Sequence, residues 1–132
     1  MEFEGEFLYN KKWNGKGFDK NGNIVDELIN GKGSAKEYYY YNGKLVYEGE
    51  YLNGKRNGKG KEYLEQSGEL IYEGEYLNGK WNGKGKEYIY LFNGGELVFE
   101  GEYLNGKRWN GKGKEFHKKG VCQYLNGKII TN

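Results

Sequence analysis

The chain repeats a short run in which every second residue is aromatic or glycine and the residues between are mostly acidic. YEGEYL begins at Tyr47 and returns at Tyr72, versions with phenylalanine first begin at Phe3 and Phe99, and a degenerate copy, IVDELI, begins at Ile24. A period of two places rings and glycines on one face of an extended chain and charges on the other. The pattern therefore predicts β-strands. Helices are disfavoured, since each interior glycine costs a helix about 1 kcal/mol.

An Asn-Gly pair follows most of these runs, and a second run such as KGKEYL comes after it. Asn-Gly is the strongest short signal for a β-hairpin, because both residues tolerate positive φ in a tight turn. Each copy therefore predicts a hairpin of two strands, each of about six residues. In one register, glutamates lie beside lysines across the hairpin, as Glu50 with Lys61, Glu75 with Lys86, and Glu102 with Lys114.

Glycine inside a strand needs a reason, because it normally weakens strands. In this chain the glycines share a face with the aromatic residues, so a ring from one strand can cover the bare backbone of its neighbour. Rings of this size bury about 150–250 Å² each. That is enough for a single curved layer to stabilise itself without a second layer above it.

Hairpins joined end to end predict an all-β fold: an elongated, twisted, single-layer antiparallel sheet of about twelve strands, open at both ends. Each hairpin buries its rings only against its neighbours, so stability is close to a nearest-neighbour sum. We expect one array across residues 1–132. Its repeats are predicted at residues 3–23, 24–46, 47–71, 72–98 and 99–122, with a half-repeat at 123–132.

Composition indicates a chain that folds. It has 24 Gly and no Pro, but aromatic residues make up 17%, too many for a disordered segment. Lys and Arg number 21 against 19 Asp and Glu, so the charge is mixed and no nucleic-acid partner is expected. With one cysteine, no secretory signal pattern and no apolar run of about 20 residues, we expect a cytoplasmic location, or one at the cytoplasmic face of a membrane or at the cytoskeleton.

The repeated run resembles the MORN repeat, whose approximate pattern is Tyr-x-Gly-x-(aromatic)-x-x-Gly-x-x-x-Gly-x-Gly. The matching residues are Tyr47, Gly49, Tyr51, Gly54, Gly58 and Gly60, then Tyr72, Gly74, Tyr76, Gly79, Gly83 and Gly85, then Phe99, Gly101, Tyr103, Gly106, Gly111 and Gly113 in a copy one residue longer, and Phe3, Gly5, Phe7, Gly15 and Gly17 at the start. The wording GELIYEGEY is similar to the variant found in bacterial and protist proteins. The copy at Ile24 departs, because Asp26 replaces the first glycine and Ala35 the last, so we expect an irregular hairpin there.

The resemblance implies an array of stacked hairpins used for protein interaction, scaffolding, dimerisation or attachment near membranes. Binding of phosphoinositide headgroups has been proposed for this family. The repeat itself carries no catalytic residues.

The residues themselves offer no catalytic, cofactor or metal site. The paired glutamates lie i, i+2 on the charged face in every copy, as a solvated stripe would, and two identical environments do not separate an acid from a base. His117 and Cys122 each stand alone, without the ligand cluster of a zinc site or the companions of a cysteine nucleophile. We therefore expect no enzyme activity and no cofactor.

Two sets of residues are candidates for binding. The first, the Trp/Arg ridge, is predicted in the loops between paired strands and contains Trp13, Arg56, Trp81, Arg108 and Trp109. Tryptophan and arginine are enriched at interaction edges. The alternative is that the rings fold back over the adjacent hairpin. The second, the aromatic strip, is expected to be mainly structural but partly accessible along the concave side to a peptide or helix. It contains Tyr47, Tyr51, Tyr72, Tyr76, Phe99 and Tyr103.

The function expected from these features is that of a non-enzymatic scaffold that binds a protein partner or itself, with a homodimer formed through the terminal strands as one form. The alternative is a peripheral membrane adaptor that binds phosphoinositides through the lysines of the NGK turns, although nearby acidic residues nearly cancel their charge. Carbohydrate binding by the aromatic hairpins is a third, weaker reading. The sequence does not identify the partner.

Overall fold

The structure, a computed structural model, describes residues 2–8, 11–18, 20–21, 23–91, 94–114 and 121–130. These residues form twelve strands: β1 (Glu2–Leu8), β2 (Lys11–Phe18), β3 (Ile24–Ile29), β4 (Lys32–Tyr38), β5 (Leu45–Leu52), β6 (Lys55–Tyr63), β7 (Leu70–Leu77), β8 (Lys80–Leu91), β9 (Gly94–Leu104), β10 (Lys107–Gly113), β11 (Cys122–Leu125) and β12 (Lys128–Ile130). The strands pair in chain order, β1 to β12, and every pairing among the described residues is antiparallel. The prediction of an all-β sheet of consecutive hairpins is confirmed.

Asn-Gly turns close five of the hairpins in type I′ geometry. The asparagines have φ between 49° and 53°, and the glycines that follow also have positive φ. The turns are Asn30-Gly31, Asn53-Gly54, Asn78-Gly79, Asn105-Gly106 and Asn126-Gly127. Because both central residues of a type I′ turn need positive φ, this dipeptide sets the two-residue connection.

Each of these turns also docks on the hairpin before it. The backbone N–H of Asn78 donates to Asn57 Oδ1 at 3.1 Å, and the N–H of Gly79 donates to the Arg56 carbonyl at 2.8 Å. The turn at Asn105 repeats both bonds, to Asn82 and to Trp81. Where a repeat has a second asparagine, as at Asn57 and Asn82, that side chain therefore joins neighbouring hairpins.

The register of the charged face differs from the prediction. Lys61 pairs with Glu48 in its own hairpin and with Glu73 in the next one, not with Glu50. The shift arises because the pairing jumps from Tyr51–Arg56 to Gly49–Gly60, which leaves three residues of β6 opposite Glu50. The same shift moves Lys86 from Glu75 to Glu73, and in the third copy Glu102 lies opposite Asn110, not Lys114.

The hairpin at Ile24, expected to be irregular, is instead regular. β3 and β4 pair through Glu27–Ser34, Leu28–Gly33 and Ile29–Lys32 without a bulge. Its second strand lacks the two residues that form most of the bulge in β6. Leu28 and Ala35 are buried there, in the places that Tyr51 and Gly60 take in the next repeat.

Candidate functional site

The aromatic strip is the core of the molecule. Its six rings are at most 7% exposed, and neighbouring rings meet edge to face with centroids 5.1–5.5 Å apart. Tyr47 covers Gly60 so closely that a Cβ there would lie 2.4 Å from the ring hydroxyl, and Tyr72 covers Gly85 in the same way. The packing of rings on glycine is therefore confirmed. The expected accessible strip for a peptide is wrong, because the rings cover one another.

Half-buried carboxylates accept hydrogen bonds from the hydroxyls of two of these rings, Tyr76 and Tyr103. Glu62 accepts hydrogen bonds from Tyr76 at 3.0 Å and from Trp81 Nε1 at 3.1 Å, and Glu87 accepts one from Tyr103 at 2.8 Å. Burial raises the pKa of Tyr76 and of Tyr103 well above the usual range, and the adjacent carboxylates raise each pKa further. Among the described residues, these hydroxyls and carboxylates therefore serve one another as hydrogen-bond partners.

The Trp/Arg ridge lies in strands rather than in loops, which corrects the prediction. The turn itself contains only Asn-Gly, so Arg56 falls in β6, Trp81 in β8, and Arg108 and Trp109 in β10. Trp81 is half-buried and stacks on Tyr72, with ring centroids 4.4 Å apart and planes within 3°. The Trp81 ring therefore folds back over the sheet, which was the alternative to an interaction edge.

The two arginines of the ridge are also engaged within the sheet. Arg56 lies 4.4 Å above the Tyr47 ring and forms ion pairs with Glu37 at 2.7 Å and with Glu62 at 3.0 Å. Burial lowers the pKa of the Arg56 guanidinium, but the two carboxylates outweigh it and raise the pKa overall. Arg108 lies 5.1 Å from the Phe99 ring and pairs with Glu87 at 3.1 Å.

The tryptophans of the two longer copies occupy bulges. Trp109 has no cross-strand partner between the Arg108–Tyr103 and Asn110–Glu102 pairs, and its ring lies against the turn at Gly127. Trp13 is skipped in the same way between Lys12 and Asn14 in β2, and its side chain lies outside the described part of the structure.

The opposite face of the sheet holds an open groove that crosses the strands from β4 to β9. Its volume is about 1050 Å³. Glycine backbone forms its floor, and lysines and glutamates form its walls. The groove is lined by Ser34, Ala35, Lys36, Glu48, Gly49, Lys59, Gly60, Lys61, Glu73, Gly74, Glu75, Lys84, Gly85, Lys86, Glu100, Gly101 and Glu102.

The acidic side chains of the groove are mostly occupied. Glu48 and Glu73 accept hydrogen bonds at 2.6 Å from the hydroxyls of Tyr63 and Tyr88. Glu75 accepts the N–H of Lys84 at 2.8 Å, a backbone donor that the bulge leaves unpaired, and Glu50, beside the groove, does the same for Lys59. These carboxylates stabilise the sheet.

Three lysines of the groove, in contrast, have no carboxylate partner among the described residues: Lys59, Lys61 and Lys84. They are exposed and point from the same face. Lys86 lies 3.7 Å from Glu100. The lysine ammonium groups of β6 and β8 are therefore the side-chain donors that the groove offers to a ligand.

A second surface follows the Asn-Gly turns along one edge. On each side of a turn stand an aliphatic residue and a lysine that pair across the hairpin, as Leu52 with Lys55 and Leu77 with Lys80. We call this row the turn-flanking stripe: Ile29, Lys32, Leu52, Lys55, Leu77, Lys80, Leu104, Lys107, Leu125 and Lys128. All ten residues are exposed, and none is acidic.

The sequence prediction missed the groove, because it treated those charges as a solvated stripe. Of the second surface it named only the lysines, as the site of the membrane alternative, and it missed the aliphatic residues beside them. The parity of the strands already places Leu52 on the face opposite Tyr51, which was the available signal for the stripe. The groove depended on the register, which was misassigned.

Other candidate chemistry is limited. Cys122 is a buried free thiol in β11 that packs in the aromatic core, and His117 lies outside the described residues. No group of three or more His, Cys, Asp or Glu side chains is placed to hold a metal ion within the described ranges. In the same part of the chain, no helix is long and apolar enough to cross a membrane.

Comparison with known proteins gives one family. The model of the MORN repeat matches residues 47–66 and 72–89, which are the hairpins β5–β6 and β7–β8 with their connections. A search of curated proteins finds no match. Both matched segments share their turn, their bulge and their ring-on-glycine packing, and β9–β10 continues the array with the one-residue insertion at Trp109. The chain thus contains MORN repeats at these two segments, and its repeated architecture is consistent with a MORN repeat protein.

Proposed function

We propose that this protein is a non-enzymatic scaffold that binds a protein partner in the groove of its charged face. The observation that carries the proposal is the groove itself: about 1050 Å³ of open space across six strands, on the face that the aromatic core leaves uncovered. Its floor is backbone and its walls are charged side chains on a rigid sheet. Such a surface suits recognition, because the paired strands fix the spacing of its charged residues before a partner arrives.

A variant that fills the groove tests the proposal. Tryptophan in place of Lys61 and Lys86 puts two bulky rings into the groove on strands that tolerate aromatic residues. The matched control carries tryptophan in place of Lys55 and Lys80, which lie in the same two strands but outside the groove. Unchanged thermal unfolding would show that both variants fold.

The immobilised chain and both variants are then used to capture proteins from the native cell extract, followed by quantitative mass spectrometry and binding measurements with purified hits. We expect at least one protein that binds the parent chain and the control but not the groove-filled variant. Identical capture by all three chains would contradict the proposal.

Self-association through terminal strands belongs to the same proposal. In the described sheet β1 and β12 form the two edges, and each is paired on one side only. An unpaired edge offers N–H and C=O groups to another strand. Size-exclusion chromatography with light scattering is expected to show dimers, and monomers alone up to millimolar concentration would remove this part of the proposal.

A second candidate, peripheral membrane binding, is favoured by the turn-flanking stripe. Exposed aliphatic side chains can enter the interface of a bilayer while lysines meet anionic headgroups, at about 1 kcal/mol for each lysine near the surface. The stripe combines five of each and no carboxylate, although acidic side chains of the groove lie on the same face.

Vesicle flotation separates this candidate from the first. We expect binding to vesicles that contain phosphatidylserine and phosphoinositides but not to neutral ones, and loss of binding when Leu52, Leu77 and Leu104 are all replaced by serine. The groove-filled variant serves as the control and should float normally. Absence of flotation at low salt would exclude the membrane candidate.

A further inference from the structure

The groove crosses the strands from β4 to β9. It therefore covers five strand spacings of about 4.8 Å, a length of about 24 Å.

Charge in the groove is arranged in bands, one band for each strand. β4 contributes Lys36, β6 contributes Lys59 and Lys61, and β8 contributes Lys84 and Lys86, whereas β5, β7 and β9 contribute glutamates. The lysine bands of β6 and β8 are two strands apart, about 9.6 Å. An occupant that uses both bands must therefore present anionic groups at that spacing on one face.

The sign of the occupant's charge follows from the hydrogen bonds and ion pairs that the groove residues already form. Three of the five lysines that line the groove, Lys59, Lys61 and Lys84, have no carboxylate within 4.0 Å among the described residues. Of its five glutamates, Glu48, Glu73 and Glu75 accept hydrogen bonds from the sheet and Glu100 lies near Lys86, which leaves Glu102 without a partner among the described residues. An anionic ligand would therefore find three lysines without a carboxylate partner, whereas a cationic ligand would find one such glutamate and would elsewhere compete with the bonds that hold Tyr63, Tyr88 and the bulge.

The conformation follows from the same spacing. In a polyproline II helix, three residues make one turn with a rise of about 3.1 Å each, so every third side chain lies on the same face at about 9.3 Å. In a β-strand, side chains on one face recur at about 6.6–6.8 Å. Only the first spacing matches lysine bands about 9.6 Å apart.

We propose that the groove binds an extended acidic segment of a partner protein, in polyproline II conformation, with a carboxylate at every third residue. This inference rests on the proposed scaffold function and names the class of its partner. The carboxylates of the segment contact Lys59 and Lys61 on β6 and Lys84 and Lys86 on β8, and its backbone lies over the glycine floor between β4 and β9.

Fluorescence anisotropy with defined peptides tests the proposal. The probe is fluorescein-labelled Glu-Pro-Pro repeated three times. One comparison peptide has the same composition with its three glutamates adjacent, a second carries lysine in place of glutamate, and a third is an alanine-rich helix with glutamates seven residues apart. We expect the probe to bind most tightly, and its binding to weaken as salt rises.

Two variants locate the site. In Lys59→Gln with Lys84→Gln, we expect the Kd of the probe to rise about tenfold, as the loss of two charged contacts implies. In the control, Lys55→Gln with Lys80→Gln, the same two strands lose the same charge outside the groove, and we expect a Kd within about twofold of the parent value.

Four results would overturn the inference: no binding of the probe at millimolar concentration, equal binding of the lysine peptide, equal or tighter binding of the clustered or helical peptide, or equal loss in both variants. The scaffold function is tested separately, by capture with the groove-filled variant. If the groove-filled variant loses a captured protein while the acidic probe does not bind, the scaffold stands and the acidic segment is wrong.

Discussion

At the residue scale, the fold depends on contacts between rings and glycine. Tyr72 lies over Gly85 and Tyr47 over Gly60, each at a distance that a methyl group would occupy. The same tyrosines donate their hydroxyls to the backbone carbonyls of Glu75 and Glu50, at 2.8 and 2.9 Å. Each tyrosine is thus held by the contact of its ring with glycine and by the hydrogen bond of its hydroxyl, which explains why tyrosine and glycine occur together in the repeat.

Gly85→Ala should destabilise the protein through overpacking. A Cβ at this position would lie 2.5 Å from the Tyr72 hydroxyl and 2.7 Å from its ring, and the backbone conformation itself does not require glycine. We expect the free energy of unfolding to fall by about 1–3 kcal/mol, measured by urea denaturation.

Gly79→Asn is the matched control for that substitution. Gly79 lies in the turn of the same hairpin, its added Cβ meets no atom within 4 Å, and its φ of 86° suits asparagine better than other side chains. We expect a loss below about 1 kcal/mol. An equal loss in both variants would show that ring packing does not set the requirement for glycine.

The second glutamate of the E-G-E run has a structural task that depends on the hairpin. Glu75 accepts the N–H of Lys84 that the bulge leaves unpaired. Glu102 occupies the same position in the longer copy, where the bulge is different, and it forms no hydrogen bond or ion pair among the described residues. The same position in the repeat therefore has a structural role in one hairpin that it lacks in the other.

Glu75→Ala and Glu102→Ala form a matched pair. Loss of Glu75 leaves the Lys84 N–H without its acceptor, so we expect unfolding free energy to fall by about 1–2 kcal/mol. Loss of Glu102 should cost less than about 0.5 kcal/mol, as for an exposed charge. Urea denaturation of both variants measures the difference, and similar losses would contradict the assigned role of Glu75.

At the element scale, one inserted residue selects between two hairpin forms. In β5–β6 three residues face Glu50 and Gly49 pairs with Gly60, whereas in β9–β10 only Trp109 is extra and Gly101 pairs with Gly111. The pairing with the following strand is unaffected, since Gly58 faces Tyr76 and Gly111 faces Tyr124 in the same way. The insertion is absorbed inside its own hairpin.

Deletion of Trp109 should therefore convert the hairpin to the shorter form. The remaining Arg108-Asn110-Gly111-Lys112-Gly113 has the same order as residues 56–60, RNGKG. We expect Gly101 to pair with Gly113, and Glu102 to accept the N–H of Lys112. Cross-strand Hα–Hα contacts in NMR spectra report the register, and contacts that remain between Gly101 and Gly111 would contradict the prediction.

The element scale also marks where sequence reasoning succeeded and where it failed. Strands and Asn-Gly turns were predictable because alternation and positive φ are local properties. The Glu50–Lys61 register was wrong because a bulge of three residues opposite one has no local signal in RNGKG. The ridge was misplaced for the same reason: Arg56 and Trp81 follow a turn of only two residues and so already belong to strands.

At the scale of the whole molecule, the sheet was predictable and the candidate site was not. Repetition predicts strands paired in chain order, and in that order Tyr47, Tyr72 and Phe99 each lie over a glycine of the paired strand. The groove depends on which charges share a band, and so on the register that was missed; with the correct register, Lys59 and Lys61 lie between strands that contribute glutamates. The charged face is thus less predictable than the aromatic core, because an incorrect register on that face causes no steric clash that would exclude it.

Tyrosines distributed along the whole sheet should make the protein sensitive to alkaline pH. A hydrogen bond to Glu73, with burial and the charge of that carboxylate, raises the pKa of Tyr88 to about 12. Burial raises the pKa of Tyr47, Tyr51, Tyr72, Tyr76 and Tyr103, and also that of Tyr63, which donates to Glu48. In the unfolded chain a tyrosine titrates near pH 10.

The sign of the pH dependence follows from proton binding. Between about pH 10 and 12 the unfolded chain loses tyrosine protons that the folded sheet keeps, so unfolding becomes more favourable as pH rises. Stability from this source is complete below about pH 10 and falls as pH rises through the folded pKa values. We expect urea midpoints to fall above about pH 10, together with cooperative appearance of tyrosinate absorption. Tyr88→Phe should make the fall shallower, because the raised pKa of that hydroxyl is then absent. Urea midpoints that stay level up to about pH 12 would show that the folded sheet does not hold these protons more tightly than the unfolded chain.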